Sequence, residues 1–261
     1  MAISEQPIAP PNPPGGVPPG SAPPVELDAY YNPDDPTKPL PPELWPEVDH
    51  LVTEDDTPVD NMYSEKQMRL LTEPLYACWP GPGNDRPFLV TANVGLFYSA
   101  HEPAIVPDVL LSLDVKPREN LLIKRHRSYF IWEFGKPPDA IIEIVSNRVG
   151  DEFTRKAAVY ATLGAPYYIV WDPDNLLDKG TLNIFALREK EYQPLADGRL
   201  PVIGLELVVW HGIFENVEAD WLRWRLPEGN LIPTGAERAE QERQRADRLA
   251  AQLRALGIEP E

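Results

Sequence analysis

DAIIEIVSNRVGDEFTRKAAVYATLGAPYYIVWDPD, residues 139–174, decides the fold. Its opening, 139–146, is a short and almost wholly apolar run. Such a run suits a central strand covered on both faces. Over 150–164, Phe153, Ala157 and Tyr160 recur at helical spacing. Asp151 can cap the start of that helix and Gly164 can end it. The next run, 166–174, is apolar again and closes in a turn at Asp172. A strand–helix–strand unit of this kind predicts a right-handed crossover and a parallel pair of strands.

Working outward, FLVTANVGLFYS at 88–99 predicts a strand with a bend at Gly95. AIVPDVLLSLDV at 104–115 predicts a second. TLNIFALR at 181–188, then EYQPL and ELVVW, predict further strands and an extended edge of open pairing. SEKQMRLLTEPLY predicts a helix over 63–76, with Ser64 as cap and Gln67 as its reciprocal partner. Met68 and Leu71 would face inward, and Pro74 would end the helix or start a turn. Residues 234–256 are strong helix formers without proline, and Ala246, Leu249, Leu253 and Leu256 follow a 3-4-3 spacing. That stripe predicts a coiled-coil arm in a homodimer, a helix packed on its own domain, or one fraying in solvent.

The first sixty residues differ in kind. They hold 16 of the 32 prolines, twelve acidic groups and one basic group. Proline fixes φ and lacks an N–H, so regular structure cannot propagate there. The expectation is a disordered or loosely attached acidic leader over 1–60, with Tyr30, Tyr31, Leu44 and Trp45 as the side chains able to dock. The folded domain would span 61–230, and a helical, possible coiled-coil tail 231–261.

Composition excludes several classes. One cysteine, Cys78, and four dispersed histidines support neither an internal disulfide nor a local zinc motif. No run of eighteen apolar residues suits a membrane span, and the N-terminus does not resemble a secretory signal. A reducing, cytoplasmic setting is expected, without a membrane partner. The formal net charge of -17 opposes long-range attraction to a phosphate backbone. A local basic run, Arg118, Lys124, Arg125 and Arg127, is either a DNA-facing loop or a solvated hairpin.

Two carboxylates interrupt the apolar runs. Asp108 lies between Val106 and Leu110 on its strand face, and Glu143 between Ile141 and Val145. Burying either is costly unless it is paired or holds a metal. On neighbouring strands the two could share a divalent cation, since oxygen ligands suit Mg²⁺ and also Mn²⁺. Lys156, early in the following helix, could orient a water, hold a phosphate oxygen or take a proton. Tyr160, one turn on, could donate to phosphate or simply pack. Bland alternatives stand beside each. Asp108 could cap a bulge or bind Arg125 or Arg127. Glu143 and Lys156 could form a structural ion pair in an inert domain. Ser146 suits a turn better than a nucleophile, and Glu102 either lines the site or is exposed.

PDVLLS, IIEIVS and RKAAVYATLGAPYYIVWDPD, taken in order, resemble the Uma2 family of restriction-endonuclease-like proteins, common in cyanobacteria and part of the PD-(D/E)XK nuclease superfamily. The resemblance covers roughly residues 60–225 and continues into the helical tail. It implies an α/β fold with a restriction-endonuclease-like mixed central sheet flanked by helices, followed by the charged C-terminal helix. It implies catalytic residues Asp108, Glu143 and Lys156, with Asp108 and Glu143 holding the metal. Glu65 would correspond to an early acidic residue of the superfamily. One departure matters: the usual lysine position, two residues after the acidic one, is Val145. The implied activity is Mg²⁺-dependent hydrolysis of DNA phosphodiester bonds. The competing class is a catalytically inactive nuclease-fold scaffold or interaction protein. Partners implied are DNA for an active enzyme, and a second copy through the nuclease domain or the C-terminal helix.

Overall fold

In a computed structural model of the chain, residues 38–51, 61–148 and 151–256 are described. A six-stranded mixed sheet forms the centre. Its strands are β1 (Phe88–Ala92), β3 (Val109–Leu113), β5 (Ala140–Ile144), β6 (Tyr167–Trp171), β7 (Leu182–Arg188) and β8 (Glu191–Pro194), adjacent in that order. Only β5 and β6 run parallel; every other neighbouring pair is antiparallel. A π-turn, Glu152–Lys156, and the helix α3 (Ala157–Leu163) make the crossover between that parallel pair. Gly164, at φ 84°, ends α3 in the left-handed conformation. The expected strand–helix–strand unit is present.

Alternation along the strands divides the core. Val109, Leu111, Ile142, Ile144, Ile169 and Trp171 pack on one side with Leu71 and Leu75 of α1 (Met62–Cys78). A second, three-stranded sheet packs against the same side: β11 (Val217–Arg225), β10 (Leu205–Phe214) and β9 (Arg199–Leu200). Leu110, Ile141, Val145, Tyr168 and Val170 face the other way, onto Val159, Tyr160 and Leu163 of α3. A one-residue slip would exchange these two sets, so burial on both faces fixes the register.

Several boundaries differ from the sequence-based expectation. The predicted strand 88–99 breaks, because Asn93 takes φ 53° and the chain leaves β1 before β2 (Leu96–Phe97). β2 instead pairs parallel with β4 (Tyr129–Phe130), which runs into the short helix α2 (Ile131–Phe134). α1 is capped by Asn61, whose Oδ1 accepts from the backbone N–H groups of Tyr63 and Ser64, so Ser64 is not the cap. Pro74 lies inside α1 and is buried rather than terminal. Met68 and Leu71 do face inward.

Residues 38–51 form a strap on the domain. Leu40, Val48 and Leu51 pack with Phe97, Phe130 and Trp132, and the Leu40 N–H donates to Trp132 O. Gly135 makes the close approach workable: it sits at φ 76°, and a Cβ there would meet Pro39 N at 2.6 Å. Of the four leader side chains able to dock, Trp45 does and Leu44 stays 52% exposed. Tyr30 and Tyr31 lie outside the described residues. The C-terminal helix α4 (Gly235–Ala255) begins with a capping box between Thr234 and Glu237 and buries none of its residues. Its first turn is tethered by Arg223 to Glu237 at 2.6 Å and by Arg238 to Ala77 O.

Candidate functional site

The antiparallel register of β3 and β5 pairs Val109 with Ile142, and the same step places Asp108 beside Glu143 on the α3 face. Both residues are buried. Asp108 Oδ2 accepts the backbone N–H of Ile144 at 2.6 Å. That bond ties the end of β3 to β5. Glu143 Oε2 accepts from Lys156 Nζ at 2.9 Å, and Oε1 accepts from the Tyr160 hydroxyl at 2.7 Å. Sequence spacing explains the convergence. The π-turn is closed by Lys156 N–H donating to Asp151 O, and Tyr160 follows one α-helical turn later. Both side chains therefore reach down onto the strand that precedes their helix. Asp151 occupies the cap position without a side-chain cap bond; its carboxylate pairs with Arg155.

Burial dominates the electrostatics. It pushes the Glu143 carboxyl above the ordinary glutamate value, and the Lys156 charge together with the Tyr160 and Lys156 hydrogen bonds offsets only part of this. Burial draws Lys156 down, but the charges of Glu143, Glu152 and Asp108 outweigh it and hold the ammonium above the ordinary lysine value. Burial and the neighbouring Glu143 charge place Tyr160 well above its ordinary value. Lys156 is a cation donor here and not a neutral base.

Glu152 has no counterpart in the sequence-based site. It is 9% exposed, with Oε1 3.8 Å from Lys156 Nζ and Oε2 buried without a hydrogen-bond partner. Its place at the start of the π-turn, nine residues after Glu143, matches no local motif that would have marked it. The oxygens of Asp108 and Glu143, with the orphan oxygen of Glu152, are the hard donors Mg²⁺ prefers. Among the described residues, though, no three such groups come together closely enough to hold a metal ion.

Other candidates serve structural ends. Asp172 accepts from the N–H groups of Leu176 and Leu177 and closes the turn expected of it. Glu65 pairs with Arg69 on an exposed face of α1, and Glu102 is exposed. Most of the basic run, read as a DNA-facing loop or a solvated hairpin, is bonded to the rest of the domain. Arg125 bonds Glu133 and Pro46 O, and Lys124 bonds Asp49 O. Arg118 and Arg125 both lie against the Trp45 ring, at 5.7 and 5.5 Å from its centre. These cations clamp the strap to the domain around the buried carboxylate of Glu133. Among the described residues, no helix is long and apolar enough to cross a membrane.

A mixed sheet flanked by α1 and α3, with Asp108 just before β3, Glu143 on β5 and Lys156 in the crossover between β5 and β6, is a restriction-endonuclease-like arrangement. The Uma2 family, described as "Putative restriction endonuclease", matches residues 58–213, more than half of the chain. This chain belongs to that family. Among curated proteins, none matches.

Proposed function

We propose that this chain works as a nuclease-fold interaction protein whose acidic pocket is closed by an internal ion pair. One observation carries this: both carboxylate oxygens of Glu143 are already engaged, by Lys156 and by Tyr160. An ion approaching Glu143 must compete with a partly buried cation that is already in place. Three cations of the basic run that could have met DNA are likewise committed to Glu133 and the strap, Arg118, Lys124 and Arg125, while Arg127 bonds the carbonyls of Leu121 and Leu122. The working surfaces are then external, foremost α4, which projects without a buried residue.

A second function, Mg²⁺-dependent hydrolysis of DNA, is favoured by the meeting of Asp108, Glu143 and Lys156 on one face of the sheet. In that case Asp108 and Glu143 would hold the ion. A bound ion would supply an acidified water and neutralise charge on phosphate oxygens. Lys156, whose side chain is 23% exposed, would turn outward to a phosphate oxygen, and Tyr160 would keep Glu143 oriented.

One experiment separates the two. Purified chain and its Asp108→Ala form are incubated with supercoiled and linear DNA in Mg²⁺, Mn²⁺ or chelator. An interaction protein leaves the DNA intact in every lane. Metal-dependent nicking by the natural chain, lost in Asp108→Ala, overturns the proposal in favour of the hydrolase.

A further inference from the structure

The three-stranded sheet has two edges, and the fold treats them differently. On β11, the residues whose backbone points away from β10 are Glu218, Asp220, Leu222 and Trp224, and the last three are met. Tyr63 OH donates to Asp220 O, and the Gln67 amide takes both the N–H and the C=O of Leu222 as a neighbouring strand would. Ile232 N–H donates to Trp224 O. On β10, the outward residue Leu207 donates to Gly198 O, where β9 ends. Strand alternation then turns Val209, His211 and Ile213 outward on the same edge. Among the described residues, no strand pairs with that edge.

The uncovered edge lacks the usual protection. Residues 207–214, LVVWHGIF, contain no proline, lysine, arginine or acidic group. Val209 is 43% and Ile213 66% exposed. Side chains also brace the segment. A Cβ on Gly212 would meet the Trp210 ring at 2.1 Å, so the ring lies flat over the glycine, and the Trp221 indole donates to Gly212 O. An extended, rigid, apolar edge is a template for another strand.

We propose that this edge pairs with the same edge of a second copy of the chain, antiparallel about a two-fold axis at His211. That register alone opposes all three outward residues to outward residues. Val209 faces Ile213 of the second copy and Ile213 faces Val209, so every outward N–H and C=O finds a partner and the exposed apolar side chains cover one another. Charge selects the partner. Two chains of net charge -17 repel over most of their surfaces. Residues 207–214 add no carboxylate, and the acids alongside have neighbours on their own chain: Asp220 and Glu218 lie beside His211, and Glu215 pairs with Lys66 and Arg69. This strip therefore brings no carboxylate of its own between two copies. One strand edge with its side chains buries less than about 1,200 Å² in total, so the dimer depends on concentration. It requires no particular state of the acidic pocket.

Sedimentation velocity of the full chain over a concentration series tests this. The natural chain is expected to dimerise. Val209→Lys with Ile213→Lys places like charges opposite each other and removes two apolar pairs, weakening association by about tenfold or more. Both sites are exposed, so the melting temperature of the dilute protein should be unchanged. Leu249→Glu with Leu253→Glu, on α4, should leave the dimer intact. In a Cys78→Ser background, His211→Cys should cross-link on oxidation and Glu218→Cys should not. A chain that stays monomeric at all concentrations overturns the proposal, as does a dimer that survives the paired lysines or is lost in the α4 variant.

Discussion

Replacing Lys156 by methionine isolates what the ion pair contributes. The substitution keeps an unbranched side chain of similar reach and removes the charge, leaving Glu143 hydrogen-bonded to Tyr160. Glu143 is 1% exposed, so water cannot replace the lost ammonium. Breaking a buried pair from one side typically costs 3–5 kcal/mol. The partial exposure of Lys156 argues for the lower end, about 3 kcal/mol. For a domain of this size that corresponds to a fall in melting temperature of roughly 6–12 °C. The pH dependence gives a second signature. Glu143 already sits above the ordinary glutamate value, and losing Lys156 raises it further. A carboxyl whose folded pKa exceeds its unfolded one favours folding below the unfolded value, and that contribution disappears as pH rises through the folded value. The deficit of Lys156→Met relative to the natural chain should therefore be smallest near pH 4 and grow as pH rises. Adding Glu143→Gln to Lys156→Met should recover part of the loss at neutral pH, since the uncompensated charge is gone. Thermal and urea unfolding across pH 4–8 reads all three effects. A loss below about 1 kcal/mol, or a deficit independent of pH, would refute the buried-pair argument.

Two further variants probe the supports of the site. Gln67→Ala leaves the N–H and C=O of Leu222 buried without their side-chain partner and should cost about 2 kcal/mol or more, measured by urea unfolding. Trp45→Ala removes the ring against which Arg118 and Arg125 lie, together with the indole bond to Leu40 O. It should release residues 38–51 to limited proteolysis while lowering the melting temperature of the domain only slightly; unchanged protection of the strap would show that its apolar contacts suffice.

How far the sequence reveals the fold follows from local physics. The β5–α3–β6 unit is legible because its strands are continuous apolar runs and Gly164 marks the helix end. The proline-free run of helix formers at 234–256 marks α4 equally clearly, though its Thr234–Glu237 cap goes unread in the sequence. The strap is not legible. Leu40, Val48 and Leu51 have no common period, and much of its attachment uses backbone carbonyls that any sequence carries. Pro74 misleads for a different reason. It costs α1 one hydrogen bond, but the buried side chains on either side, Leu70, Leu71 and Leu75, hold the helix through it.

At the site, the meeting of Asp108, Glu143 and Lys156 is foreseeable, because two acids in adjacent apolar strands need a common solution. Which solution is not foreseeable. A cation and the Lys156 ammonium satisfy the same carboxylate, and sequence contains no term that ranks them. The basic run shows the same ambiguity: its arginines answer to the buried Glu133, a residue that looks like ordinary surface in WEF.

The N–H of Ile144 donates to Asp108 Oδ2 beside Glu143 and so reports directly on the pocket. Its amide resonance, followed through a titration with millimolar Mg²⁺, is the sharpest single test of a pocket closed by its own lysine. A closed pocket predicts no saturable shift in the natural chain. A saturable shift that disappears in Asp108→Ala would contradict it and would make this domain a metal-binding site.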